Sequence, residues 1–437
     1  MAFREFNQES LRKYFANTSW LAAEKVVRII LYLVVGILVA RYLGPESFGI
    51  LSYALSFVAL FTAVASLGMN AIIVRDIVNA PEKENAIMGT AFWLRVGGAV
   101  LVMLLLWGAV KLTAGDHDTN ILIFIIGSGL IFQAFNVIDF YFQAKVLSKY
   151  TTIAQISQAV IISVIKLWLI YIKAGVFWFA VVALLESIVL AAGFIITYVH
   201  QRLSLCRWSF DLSIARRLLN DSYPLIFSGV FVSIYMRIDQ VMIKMMLDST
   251  AVGYYAVAVK VCEAWYFIPV IIAASVFPAI LNARKADTAI YHDRLQKLYD
   301  LMVLLAVLIA IPTMLLSHWI INLLFGPVYS PAAVILQIYI WAGIFLFLGV
   351  ANEKWYFAEN LQLYALYRTL AGGVSNILLN LWLIPKMGIG GAAIATLISY
   401  SIASYWSMFF TKKSRQNFIM TTKSFNLISA IRRVFSI

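Results

Sequence analysis

Apolar runs of about twenty residues recur along this chain, each bounded by charged or turn-forming residues. As a helix rising ~1.5 Å per residue, such a run matches a hydrocarbon layer ~30 Å thick. The pattern predicts twelve such helices, near 20–42, 48–68, 87–110, 121–142, 152–172, 176–199, 223–246, 252–280, 298–320, 333–356, 362–384 and 390–411. Twelve crossings put both ends of the chain on one side of the membrane.

Composition agrees. Of 437 residues, 62% are apolar and 13% charged, against ~45–50% and ~25% in soluble domains. So few charges could not cover a water-facing surface. The net charge of +13 would suggest nucleic acid in a soluble protein, but its placement reads as topology. With the N-terminus inside, loops on that side carry 22 Lys and Arg and the opposite loops carry 5. The positive-inside rule then predicts two cytoplasmic termini and no nucleic-acid partner. The first residues mix charges and aromatics ahead of any apolar run, so no cleavable signal peptide is expected.

The two halves repeat. Leu43-Gly44-Pro45-Glu46-Ser47-Phe48-Gly49 and Leu247-Asp248-Ser249-Thr250-Ala251-Val252-Gly253 each leave a run through a short polar turn and re-enter at a glycine, 204 positions apart. Lys173-Ala174-Gly175-Val176 and Lys386-Met387-Gly388-Ile389 match at 213. A duplicated six-helix unit follows, its copies inserted in parallel around a central cavity. The expected organisation is an N-terminal lobe at 1–200, a cytoplasmic linker at 201–222, a C-terminal lobe at 223–411 and a basic amphipathic tail at 412–437. Leu427, Ile428, Ile431, Val434 and Phe435 recur in that tail at helical spacing, with Arg432 and Arg433 on the other side. That pattern suits a helix lying on an anionic membrane surface.

Several segments carry a family resemblance. Arg237-Ile238-Asp239-Gln240-Val241-Met242-Ile243, Val252-Gly253-Tyr254-Tyr255-Ala256, Pro269 and Pro278 resemble the second-half signature of polysaccharide exporters. Leu43 to Gly49 resembles their first hairpin, and Gly388-Ile389-Gly390-Gly391-Ala392-Ala393-Ile394-Ala395-Thr396 the start of their last span. The family is that of the O-antigen and oligosaccharide-lipid flippases, MATE-related members of the MOP superfamily. The resemblance covers essentially the whole chain. It implies an all-α polytopic membrane protein with twelve transmembrane helices in two pseudo-symmetric six-helix lobes. It also implies a transporter of a bacterial inner membrane. Its substrate would be an undecaprenyl-pyrophosphate-linked oligosaccharide, moved from the cytoplasmic to the periplasmic leaflet. Polymerase and other envelope-polysaccharide assembly proteins would be its partners, beside membrane lipids.

Charges inside a span cost ~2.5–3.5 kcal/mol each on insertion scales, so they face a cavity or a partner. Glu24 and Arg28 are four apart in the favourable order, and Lys25 is placed to snorkel. Lys260 and Glu263, three apart, are within reach of each other. Arg95, Lys166 and Arg237 have no acidic residue three or four positions away, and are expected to line the cavity. With Arg368 they give a cationic lumen suited to a pyrophosphate. The candidate substrate-binding residues are therefore Arg28, Arg95, Lys166, Arg237, Lys260 and Arg368. Glu186, Asp239 and Glu263 are candidates for ion coupling, since a buried carboxylate can carry a proton. Asp139 marks a cytoplasmic span end. Gln133, Asn136, Gln155, Gln158, Asn376 and Asn380 can bond sugar hydroxyls, or one another across helices.

Pro269 and Pro312 are expected to kink their spans. The chain has no phosphate-cradling G-x-x-x-x-G-K-[ST] loop, so an ion gradient or substrate depletion must drive transport. No cofactor is expected. Four scattered His and two distant cysteines, Cys206 and Cys262, suggest neither a metal site nor a disulfide. Two further readings compete. A MATE-type multidrug or cation antiporter would want an acidic cavity, against the cation excess. A membrane glycosyltransferase, polymerase or ligase would need a large outer loop, whereas these hairpins have ten residues or fewer.

Overall fold

The computed structural model describes residues 8–112 and 116–435, with side chains from residue 27 onward except those of residues 112 and 362. Among the described residues every regular element is helical. Ten helices among the described residues are long and apolar enough to cross a membrane. Two of the ten hold two apolar runs each and are broken at a glycine with positive φ, Gly44 at 72° and Gly388 at 58°. Only glycine adopts that conformation without strain. Divided at those glycines, the ten helices become the twelve runs read from sequence.

The chain forms two compact units. One comprises residues up to Leu43 together with Ala54–Ser233, and the other Gly44–Tyr53 together with Ile234 onward. The first contains most of α1 (Gln8–Ala59), then α2 (Thr62–Ser66), α3 (Asn70–Asn79), α4 (Glu84–Leu112), α5 (His117–Phe132), α6 (Val137–Ala144), α7 (Ser148–Tyr171), α8 (Val176–His200) and the first part of α9 (Leu212–Met246). Its core gathers Met69, Ile73, Met88, Val137, Phe142, Tyr198 and Leu218.

The second unit contains the rest of α9, α10 (Ser249–Glu263), α11 (Phe267–Ala286), α12 (Thr288–Leu315), α13 (Ser317–Phe325), α14 (Ala332–Tyr339), α15 (Ala342–Ala358) and α16 (Gln362–Ser401). It ends with a π-helical turn at Ile402–Trp406, the short α17 (Ser407–Phe409), α18 (Arg415–Ser424) and α19 (Leu427–Phe435). Its core gathers Ile280, Tyr299, Met302, Phe347, Leu348, Tyr356 and Met408. Ala392, Ala393 and Ala395 are fully buried, and small side chains of this kind let α16 approach its neighbours closely. Leu104, Trp168, Ile196, Leu308, Leu315 and Leu378 point outward, as lipid-facing residues do.

The sequence expectations need three corrections. Helix α9 starts at Leu212, so the connection expected at 201–222 spans only 201–211, with one short turn at Leu205–Arg207. Asp211 caps the helix: Oδ1 accepts from the Ser213 and Ile214 amides at 2.7 and 3.2 Å. Second, α12 ends at Leu315 and α13 follows as a separate helix. The connection to the tenth run therefore occupies residues 316–331, longer than the run boundaries implied. Third, Pro312 lies in the last turn of α12, near the end of a helix and not in the middle of a span as the run 298–320 implied.

The repeat also appears as interruptions at matching places. The second run breaks after Ala59 and the eighth after Glu263, so Leu60 and Ala264 are 204 positions apart, like Gly49 and Gly253. Pro269 sits third in α11. Its ring would clash with the Trp265 carbonyl in a continuous helix, which explains the break just before it. The fourth run is interrupted by a 3-10 segment at Gln133–Asn136, and the tenth at Ile340 and Trp341.

Candidate functional site

In the first unit, α7 and α8 form an antiparallel hairpin through Lys173 and Gly175. The hairpin brings Lys166 Nζ to 3.4 Å from Glu186 Oε2. On α1, the Tyr32 hydroxyl donates to Glu186 Oε1 at 2.5 Å, and Gln158 Nε2 donates to Tyr32 at 3.2 Å. Lys166 lies 5.7 Å from the centre of the Tyr32 ring. Three helices thus converge on one carboxylate. Lys166 and Glu186 stay 21% and 32% exposed, open enough for a ligand to reach them. Arg28 is half-buried one turn before Tyr32. Glu24 and Lys25 lie outside the described side chains.

The second unit holds a parallel arrangement. Arg237 Nη1 on α9 reaches Glu263 Oε1 on α10 at 3.1 Å, the two side chains 32% and 27% exposed. Glu263 is the last residue of α10, so the pair sits at the helix break. Glu263 therefore pairs across helices with Arg237, and Lys260 instead lies 5.7 Å from the Phe48 ring centre. Lys166 and Arg237, which have no acidic residue three or four positions away, each gain a carboxylate from the next helix. The cation excess inferred for the lumen shrinks accordingly.

Asp239, two residues beyond Arg237, faces a buried cluster. Its Oδ2 accepts from the Tyr255 hydroxyl at 2.7 Å and from Thr396 Oγ1 at 2.6 Å. Its Oδ1 accepts from Asn380 Nδ2 at 2.6 Å, and Asn380 also donates to Asn376 Oδ1 at 3.1 Å. Asn376 and Asn380 are fully buried, so they tie helices together and do not face an open sugar path. Asn376 Nδ2 and Asn380 Oδ1 are buried without a partner. Asp239, Tyr255 and Thr396 come from the three second-half segments that carry the family resemblance. The fold brings those segments to one carboxylate.

The remaining candidates are more enclosed. Arg95 is 4% exposed. Its Nη1 donates to Asn70 Oδ1 at 3.2 Å and its guanidinium lies 5.3 Å from the Phe140 ring centre. It is therefore part of the helix wall, where the sequence had suggested a cavity-lining cation. Arg368 Nη2 donates to the Gly349 carbonyl at 3.4 Å, with its guanidinium 5.4 Å from the Tyr356 ring centre. Asp139 accepts from Gln143 one turn on. Gln133, Asn136 and Gln155 are half-buried, while Gln158 is buried. Both cysteines are free, Cys206 exposed and Cys262 buried.

Two charge networks were not legible in sequence. At the polar end of the first unit, Asp76 is buried between Arg75 Nε at 2.9 Å and Arg217 Nη2 at 3.0 Å, and Arg75 also binds Asp221. In the second, Arg433 binds the buried Asp300 with two nitrogens, at 2.6 and 2.9 Å. Arg433 therefore turns inward, away from the polar side it was expected to share with Arg432.

The sequence matches a family model described as polysaccharide biosynthesis protein over residues 14–284. It is 29% identical over 183 residues to a protein named probable flippase AglR from Haloferax volcanii. That match covers 39% of this chain and only 36% of the relative, about a third of its length. Among solved structures, an inward-facing MATE-family multidrug resistance transporter of the MOP superfamily superposes with a TM-score of 0.72. It is 14% identical, with 91% of this chain and 96% of that one covered. The lipid II flippase MurJ in an inward closed conformation also gives 0.72, at 17% identity over 94% of this chain and 91% of that one. The chain thus has the fold these transporters share.

Proposed function

The chain belongs to the polysaccharide biosynthesis protein family, and we propose that it is a transporter flipping oligosaccharide repeat units linked to undecaprenyl pyrophosphate, or a similar polyprenyl carrier. Movement runs from the cytoplasmic to the outer leaflet, with both termini cytoplasmic, as the 22-to-5 Lys and Arg bias supports. The observation that carries the reading is the matched set of partly exposed ion pairs, Lys166–Glu186 and Arg237–Glu263, one in each unit. A pyrophosphate can replace either carboxylate on its cation, leaving the apolar surroundings with no uncompensated positive charge. Arg28, Lys260 and Arg368 add positive potential, and Arg95 holds the wall. The named relative, a probable flippase, agrees with this assignment.

Asp239, held by three donors with no cation among them, is the candidate coupling group for a proton or monovalent cation. Glu186 and Glu263 become available for coupling when substrate displaces them. A second reading, a MATE-type cation antiporter, draws on the same Asp239 carboxylate and on the neutralised lumen cations.

Reconstituted vesicles separate the two. A fluorescent polyprenyl-pyrophosphate oligosaccharide in one leaflet should become accessible from the other at a rate that depends on the protein. Lys166→Ala and Arg237→Ala should each slow flipping at least tenfold with normal protein level. Arg237→Lys should restore part of the rate if charge dominates, and little if bidentate phosphate geometry does. A wild-type protein that exports a lipophilic cation while leaving the lipid in place would establish the antiporter.

A further inference from the structure

We propose that α19 is an interfacial lipid-binding helix, whose partner is an anionic phospholipid of the leaflet where the chain ends. Three independent observations converge on it. The first is an exposed apolar stripe. Ile428, Ile431 and Phe435 are 70%, 48% and 74% exposed and fall on one helix face, while Ala430 on the opposite face is fully buried. Among the described residues the chain leaves most of the stripe uncovered, and Arg432 is exposed beside it.

The second is depth. Helix α12 has 28 residues, or ~42 Å, against ~30 Å of hydrocarbon. Counting ~20 residues back from Leu315 places the membrane boundary near Gln296. Asp300 is one turn further in. Arg433 grips it with two hydrogen bonds, and Gln296 Nε2 donates to the Met420 carbonyl at 3.0 Å. The tail is thereby fixed at the level where headgroups give way to acyl chains.

The third is charge. Residues 412–437 contain Lys412, Lys413, Arg415, Lys423, Arg432 and Arg433, and no acidic residue. Among the described residues, Arg433 is the one of these six paired with an internal carboxylate. A cavity of about 690 Å³ opens between α12, α18 and α19, its lining including His292, Asp293, Gln296, Lys423, Ser429 and Arg433, with the Asp293 carboxylate paired to Lys297 at 3.0 Å. Its basic and hydroxyl groups suit a glycerophosphate headgroup, and the adjoining stripe suits the acyl chains. Interfacial helices combine these same features, an apolar face with flanking Lys and Arg that attract anionic lipid.

The test uses the full-length protein, delipidated in neutral detergent and titrated with dioleoylphosphatidylglycerol, dioleoylphosphatidylcholine or inorganic phosphate. Binding is read by native mass spectrometry and by the thermal midpoint. Phosphatidylglycerol should bind and raise the midpoint, and the other two should not. Lys423→Ala with Arg432→Ala should weaken phosphatidylglycerol binding about twenty-five-fold, taking about a fivefold factor per basic residue. Wild-type affinity in that double variant would overturn the proposal. So would inorganic phosphate reproducing the midpoint rise, because the site would then serve a soluble anion. In vesicles containing phosphatidylglycerol, a spin label at Phe435→Cys, with Cys206 and Cys262 replaced, should relax with oxygen and resist an aqueous nickel chelate. Preferential relaxation by nickel would place the stripe in water and refute the lipid contact.

Discussion

Removing the Arg433 side chain should destabilise the second unit by an amount the structure lets us bracket. Asp300 is fully buried, and Arg433 supplies two of its contacts, at 2.6 and 2.9 Å. Among the described residues, Gln296 Nε2, at 2.9 Å, is the donor left to Asp300 after Arg433→Ala. Stranding a buried charge costs ~3–5 kcal/mol. The Arg433 end is 32% exposed, so water can enter and screen the carboxylate, and ~2–3 kcal/mol is the better expectation. For a unit of this size that is roughly a 5–10 °C drop in the apparent unfolding midpoint. Asp300→Asn alone should cost less, because Arg433 can turn to water. The double variant Asp300→Asn with Arg433→Ala should recover much of the loss, with a coupling of ~2 kcal/mol. The assay is thermal unfolding in detergent of all four proteins of the cycle. A midpoint for Arg433→Ala equal to wild type, or a double variant no better than the single, would refute the stranded-charge argument.

Two further outcomes are expected. A Cβ at Gly49 would run into the backbone of Ser249, and one at Gly253 into that of Pro45, so Gly253→Ala must push the two hairpins apart. A maleimide should then label Ser47→Cys faster in the Gly253→Ala background than without it, once the native cysteines are replaced, and equal rates would count against this packing. Hydrogen bonds from the Ser213 hydroxyl and then the Ile214 and Ser213 amides hold the Asp211 carboxyl below its usual range. Its cap is therefore present above pH ~4 and lost as pH falls through the depressed value, so the midpoint gap between wild type and Asp211→Ala should narrow as pH is lowered below ~4; a gap that stays constant on acidification would deny the carboxylate its role.

The spans were legible because lipid imposes one length and one composition on each. The interruptions were not, with one exception. Pro269 announces the break before α11, but Leu60, Gln133 and Ile340 mark theirs with no proline or glycine nearby in the same role. Pairing was lost for a different reason. A search three or four positions away sees one helix face, and these partners stand on neighbouring helices: Lys166 with Glu186, Arg237 with Glu263, Asp300 with Arg433. Depth counted from a shared turn would have found the first two, because both members sit roughly 10–20 Å from the hairpin that joins them. Tyr32 offered no such signal. Its role depends on α1 passing beside α7 and α8, which only the assembled unit reveals.

The break between α10 and α11 also changes the mechanics of its span. An unbroken helix of 38 residues, the length of Ser249–Ala286, would have to move as one rod, and tilting it would drag both ends through their neighbours. Divided at Ala264, it becomes two levers sharing a joint. A rotation of about 10° there would carry the far end of α10, ~22 Å away, through about 4 Å while α11 stays still. Arg237 and Glu263 lie at the fulcrum, where displacement is smallest and torque is felt most. A ligand that prises those two charges apart would act on the joint itself, so a small local separation would be amplified into travel at the Gly253 end.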